Sequence, residues 1–195
     1  MIKKFQLFVT FTFACLTTYA ADGDVFKASS PEGVEITFKV ISEADKTCQV
    51  GTGEYSDATI DKSYAGPLTI PATANGYKVT TIASWAFDRY PNLTGITISE
   101  GIEQLMSNCI EQCGNITDFV IPASVTNLSS SFGGVGAGLK SISVAEGNSI
   151  YDSRENCNAI IETSTNTLVC GCNNTKIPGS VTAIGAWSMN LTMNQ

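Results

Sequence analysis

Leu93-Thr94-Gly95-Ile96-Thr97-Ile98 is followed by Ile116-Thr117-Asp118-Phe119-Val120-Ile121 and then by Leu139-Lys140-Ser141-Ile142-Ser143-Val144, each stretch beginning 23 residues after the one before. The first, fourth and sixth places are apolar in all three. Ile82, Leu105 and Leu128 form a further column with the same period. Four apolar columns on one spacing describe a solenoid, in which each coil buries its apolar side against the next. The last three residues of each stretch alternate, which sends the first and third inward and the middle one outward, as in a short strand. Leu68-Thr69-Ile70 reads the same way. Pro71, Pro122 and Pro178 follow such segments, where a residue without an amide hydrogen suits the end of a ladder strand.

Beyond each strand comes a second apolar pair spaced by three: Val79 and Ile82, Ile102 and Leu105, Val125 and Leu128, Val181 and Ile184. These are expected to be the next inward-facing positions of the same turn. Two intervals break the rule. Between Ile70 and Val79 there are five residues more than in the other coils, and the polar stretch Thr73 to Tyr77, containing Asn75-Gly76, is expected to loop out. From Leu128 to Ile184 there are ten residues more than two coils require. Ala159-Ile160-Ile161 and Leu168-Val169-Cys170 flank a polar Thr163-Ser164-Thr165-Asn166, which predicts a hairpin around residues 157–172, projecting from that coil or built into it.

Toward the N-terminus, Val34 to Val40 alternates strictly, a polar turn spans Ser42 to Lys46, and Thr47 to Val50 follows. This predicts an antiparallel hairpin that caps the first coil, entered through a polar stretch from Asp22 to Glu32. The first 21 residues read as an export signal: Lys3 and Lys4, a mostly apolar run from Phe5 to Thr17, then Thr18-Tyr19-Ala20. The run is too short to span a membrane, and no later segment is apolar enough to do so. A lipid anchor at Cys15 is disfavoured, because Thr12-Phe13-Ala14 lacks the usual aliphatic residue before it. The expected organisation is therefore an export signal at 1–21, a β cap at 22–66 and a solenoid at 67–195.

The chain carries a net charge of −7, which disfavours nucleic acid and anionic membranes as partners. It contains no histidine, so Ser-His and Cys-His catalysis and the commonest zinc sets are excluded. Cys157, Cys170 and Cys172 would supply three soft ligands but no fourth, and no metal or cofactor is expected. If the hairpin turns about Ser164 and Thr165, Ile161 faces Leu168 and Cys157 faces Cys172, a spacing that allows a disulfide in an oxidising compartment. Cys109 and Cys113 fall in repeat columns and read as buried thiols that pack like small apolar groups. Asp152, Glu155 and Glu162 show no spacing of an acid–base pair, and no enzymatic activity is expected. Trp85 and Trp187 occupy matching repeat positions, which points to packing. The outward middle residues Thr69, Thr97, Val120 and Ser143 should form a ladder on one sheet face, either as a binding surface or as a solvated face.

The pattern of an isoleucine-proline, a Val/Ile three before another Ile/Leu, and Trp85-Ala86-Phe87 resembles the BspA-type leucine-rich repeats of bacterial surface antigens. Asn148-Ser149-Ile150-Tyr151-Asp152-Ser153-Arg154, Cys157 to Ile161, Gly171-Cys172 and Ile177-Pro178 are especially similar to that family. The resemblance, over about 67–189, implies a mainly β, right-handed solenoid, secreted or surface-exposed, that binds host matrix proteins or glycans. It carries no catalytic motif. The coil at Ser129 to Gly138 departs from the pattern with a glycine-rich stretch, Phe132 to Gly138, that is expected to be loose. A second expectation follows from the stop at Gln195: an assembly module that self-associates through an open C-terminal edge.

Overall fold

The structure, a computed structural model, describes residues 20–129 and 138–185. Most of the export-signal residues with Cys15, nearly all of the glycine-rich stretch, Trp187, Met189 and Gln195 lie outside the described residues. No helix among the described residues is long and apolar enough to cross a membrane.

The chain begins with three antiparallel strands, β1 (Val25–Ser29), β2 (Glu35–Ser42) and β3 (Thr47–Val50). Alternation along β2 buries Ile36, Phe38 and Val40. β1 occupies the stretch read from sequence as a polar connection. It is an edge strand, so only every second residue has to be apolar: Phe26 and Ala28 are half-buried between exposed neighbours, and Phe26 stacks on Phe38 with ring centroids 5.5 Å apart. β3 then changes the sense of the sheet. It pairs antiparallel with β2 on one side and parallel with a coil strand on the other, placing Val50 beside Ile82.

The coils contribute β4 (Gly66–Ile70), β5 (Thr73–Ala74), β6 (Tyr77–Ile82), β7 (Phe87–Asp88), β8 (Leu93–Ile98), β9 (Gln104–Leu105), β10 (Ile110–Glu111), β11 (Asp118–Ile121), β12 (Asn127–Leu128) and β13 (Ser141–Val144). One flank is a parallel run from β3 through β6 and β9 to β12, with Leu105 beside both Ile82 and Leu128. A second flank pairs β7 with β10, and a third pairs β4 with β8 and β11 with β13. The apolar columns of the sequence are thus lateral neighbours in the stack. Ile82, Leu93, Leu105, Ile116, Phe119, Ile121 and Ile142 are each at most 1 % exposed. Each buried side chain of this kind is worth about 1.5–3 kcal/mol.

The segment Thr73 to Tyr77 does not loop out. β5 pairs antiparallel with β6 across Asn75 and Gly76, whose φ angles of 47° and 85° make the tight turn that matches strand twist, and Ala74 and Tyr77 are buried. Tyr90 ties residues 59 and 60 to the first coil: its hydroxyl accepts from the amides of Thr59 and Ile60 at 3.0 and 3.2 Å and donates to the Ile60 carbonyl.

The ten additional residues are built into the stack. β14 (Tyr151–Asp152), β15 (Ala159–Glu162), β16 (Thr167–Gly171) and β17 (Ala183–Ile184) form one sheet in that order. The hydroxyl of Tyr151 accepts from the Leu128 amide at 3.0 Å, continuing the column of Leu128. The hairpin pairs Ile161 with Leu168 as the sequence predicts, but its register slips between Ile160 and Ile161. Val181 and Ile184, unlike the three earlier pairs, are half-buried and about half exposed.

Candidate recognition surface

The four outward residues divide into two pairs. Thr69 lies beside Thr97 across β4 and β8, and Val120 lies beside Ser143 across β11 and β13. Among the described residues no ladder joins β8 to β11. A groove of about 370 Å³ opens at this break, lined by Ile96, Thr97, Glu100, Asp118, Val120 and Pro122 among others. The ladder expected from the sequence is therefore interrupted between Thr97 and Val120, and both of those residues are exposed, Val120 by 51 %. Thr69 and Ser143, at the outer strands, are half-buried.

Two carboxylates flank the groove and differ in their freedom. Glu100 is tied into the next turn: its oxygens accept from the amides of Ala123 and Ser124, each at 3.0 Å. The Ala123 amide foremost, then the Ser124 contacts, outweigh desolvation and hold its carboxyl below the usual range. Asp118 accepts only at Oδ2, from the Thr117 hydroxyl at 2.6 Å, among the contacts described. The groove offers an exposed valine, a hydroxyl, proline and alkyl walls and one lightly engaged carboxylate. That combination suits an apolar side chain with a cationic neighbour.

A larger cavity, about 650 Å³, lies where the β1–β2 turn meets residues 58–64. Its charged groups are already committed. Lys27 pairs with Glu35 at 2.6 Å, Asp61 accepts from Ser63, and Tyr64 donates to the Pro67 carbonyl. Glu32 accepts from the hydroxyl and amide of Thr69 at 2.6 and 3.1 Å and from the Ser30 hydroxyl at 2.8 Å. Desolvation raises the Glu32 pKa, but these hydrogen bonds together prevail and bring it to about 2. They also fix Thr69, which alone of Thr69, Thr97, Val120 and Ser143 has a carboxylate partner among the contacts described.

Cys157 and Cys172 are separate, buried free thiols in this structure. The register slip at Ile160 and Ile161 takes Cys157 out of line with Cys172. Cys172 Sγ instead contacts the carbonyls of Lys140 and Asn158 at 3.2 and 3.5 Å and joins the main core, while Cys157 packs with Ala159, Ile161 and Leu168 in a separate cluster. Cys109 and Cys113 are fully buried, and desolvation pushes their thiols up to about 12 and about 11. Among the described residues no group of three or more acidic or cysteine side chains could hold a metal ion.

Asp152, Glu155 and Glu162 do not converge. Asp152 is clamped by Arg154, whose Nε and Nη2 donate to its two oxygens at 2.8 and 2.5 Å, and it also accepts from the Thr163 hydroxyl. The register sets Tyr151 beside Glu162 and Asp152 beside Ile161, so Asp152 and Glu162 leave opposite faces of the sheet. Arg154 and Glu32 escaped the sequence reading as organising groups. A lone arginine within the segment Asn148–Arg154 was the only available signal for the first.

The profile described as "BspA type Leucine rich repeat region" matches residues 68–189 in six copies. The fold is similar to that of a leucine rich cell surface protein from Faecalibacterium prausnitzii A2-165, with 21 % identity and a TM-score of 0.45 over 56 % of this chain. It is also similar to the pneumococcal vaccine antigen PcpA, with 17 % identity and a TM-score of 0.35 over 87 % of this chain. A leucine-rich repeat protein from Eubacterium ventriosum ATCC 27560 matches with 14 % identity and a TM-score of 0.39 over 85 % of this chain. The chain spans 27 %, 62 % and 57 % of those three proteins respectively. No curated protein matches it.

Proposed function

The chain belongs to the BspA-type leucine-rich repeat family, and from that premise we propose that it is an exported, non-catalytic recognition protein of the bacterial surface. Its partner is a protein segment bearing an apolar side chain next to a basic one, seated in the groove between β8 and β11. Host matrix proteins are the first candidates, as the family resemblance implies. The observation that carries this reading is the break in the third flank, where Thr97 and Val120 stand exposed on either side of a groove with Asp118 at its edge. A flat ladder of small polar residues would present no such cleft.

The test is a binding screen of the mature chain against immobilised matrix proteins, with Val120→Asp and Asp118→Asn as controls. A binder should lose at least tenfold in affinity with Val120→Asp, and Asp118→Asn should weaken binding and its salt dependence together. Correctly folded protein that binds nothing on the panel, or binds equally well with both substitutions, overturns the reading.

A further inference from the structure

Trp85 departs from the packing role that its repeat position implies. It is half-buried and lies outside the apolar core. Its backbone is left-handed, with φ at 55°, a conformation that bulky residues rarely adopt and that asparagine tolerates. The residue 23 positions later is Asn108, with φ at 53°. Arg89 and Gln112 repeat the relation, at 57° and 54°. The turn thus demands a left-handed residue at this position in successive coils, and the first of them meets the demand with tryptophan, against conformational preference. Strain borne by an aromatic that only partly buries its ring points to a role outside the fold.

Its surroundings say what that role is. Tyr55, 54 % exposed, meets Trp85 edge to face, with centroids 5.9 Å apart and the rings at 88°. The guanidinium of Arg89 lies 5.3 Å from the centroid of the Tyr55 ring, and its side chain is 59 % exposed. Asp88, buried beneath, places Oδ2 3.5 Å from Arg89 Nε. Two rings at a right angle with a cation beside them form a corner on an otherwise acidic protein. The amides of this turn have nothing left to offer a peptide main chain. The amides of Trp85, Phe87, Asp88 and Arg89 all donate to carbonyls, three of them in the next coil. Lys62 is equally committed, donating to the Asp88 carbonyl at 2.7 Å over the Tyr90 ring. What remains is ring surface and one guanidinium, which is what a sugar needs: its C–H face rests on an aromatic ring and its carboxylate pairs with arginine.

We propose that Tyr55, Trp85 and Arg89 form a binding site for an acidic oligosaccharide, a glycan whose sugar carries a carboxylate. The site lies apart from the β8–β11 groove and stands independently of it.

The probes are tetragalacturonate and sialyllactose, each compared with its methyl ester, and a hexaglutamate peptide, followed by calorimetry and by tryptophan emission. At least one of the two acidic sugars should bind, with a shift in emission, and its methyl ester should bind at least tenfold more weakly. Arg89→Gln should cost a similar factor. Trp85→Asn should abolish binding while leaving the thermal midpoint unchanged or higher, because asparagine accepts the left-handed backbone. Val120→Asp should leave sugar binding intact. Failure of both acidic sugars, equal binding of the esters or tighter binding of hexaglutamate overturns the proposal. So does a Trp85→Asn variant that melts several degrees earlier yet still binds.

Discussion

The segment Asn148–Arg154 and the sheet face at Thr97 and Val120 are both rich in polar or exposed side chains, yet they use them in opposite ways. In the first, Asn148, Asp152, Ser153 and Arg154 turn back into the fold. Asn148 donates to the carbonyls of Pro122 and Val125 at 2.9 and 2.8 Å and accepts from the amides of Ile150 and Tyr151. Ser153 accepts from the Val144 amide and donates to the Ala159 carbonyl, while Arg154 reaches Asp152, Asn166 and Ser180. In the second region Thr97 and Val120 have no such duties and border a groove. The stretch most similar to the family is thus a clamp that lets a lengthened coil rejoin the stack. Resemblance marks architecture there, and recognition belongs to positions that the architecture leaves unconstrained.

Removing the clamp should therefore cost the fold and spare binding. Asn148→Ala leaves two carbonyls and two amides without their partner in a partly buried site, for an expected loss of about 2–3 kcal/mol in urea unfolding. A loss below about 0.5 kcal/mol would erase the contrast between the two regions. Arg154→Gln should cost less, because its pairing with Asp152 is partly open to solvent. It carries a pH signature as well. The Arg154 hydrogen bonds, ahead of all other influences, hold the Asp152 pKa below its ordinary value. A carboxylate so depressed contributes stability above its unfolded pKa, near 3.9, and that contribution disappears as the pH falls through the lower folded value. The native protein should lose this increment below about pH 4, and the Gln variant should have less of it to lose, keeping the part that the backbone amide of residue 154 and the Thr163 hydroxyl supply. An identical acid dependence in both would mean that the pair does not act through charge.

The coil columns were legible because burial every 23 residues imposes apolar side chains at fixed places, and Ile82, Leu105 and Leu128 have few alternatives. β1 was not legible, since an edge strand needs only Phe26 and Ala28 to face inward. The break between β8 and β11 was invisible for a different reason. Ile96 and Ile98 on one side and Phe119 and Ile121 on the other carry the same inward pattern, and side-chain type does not record whether two backbones share a ladder. Tyr55 comes from a connection with no period, so nothing in the sequence set it beside Trp85. One signal was present: a tryptophan stands where the following coil has asparagine.

The smallest effect falls at the boundary between the two regions, at Thr69. Its place in the ladder resembles that of Thr97, but Glu32 binds both its hydroxyl and its amide, which makes it part of the scaffold. Thr69→Ala should leave partner binding unchanged, whereas Thr97→Ala should weaken it several-fold. Glu32→Gln should shift the urea midpoint at neutral pH only slightly, since the carboxylate is exposed. That small shift should vanish in acid. The native Glu32 pKa of about 2, against an ordinary 4.5, means that its contribution is complete above about pH 4.5 and fades as the pH drops toward 2. The Gln variant should therefore have a flatter stability profile across that interval, measured as the difference in unfolding midpoint between the two proteins. A difference that stays constant from pH 5 to pH 2 would show that the link to Thr69 is geometric and not ionic. Weakened binding by Thr69→Ala would extend the recognition face across β4 and remove the boundary drawn here.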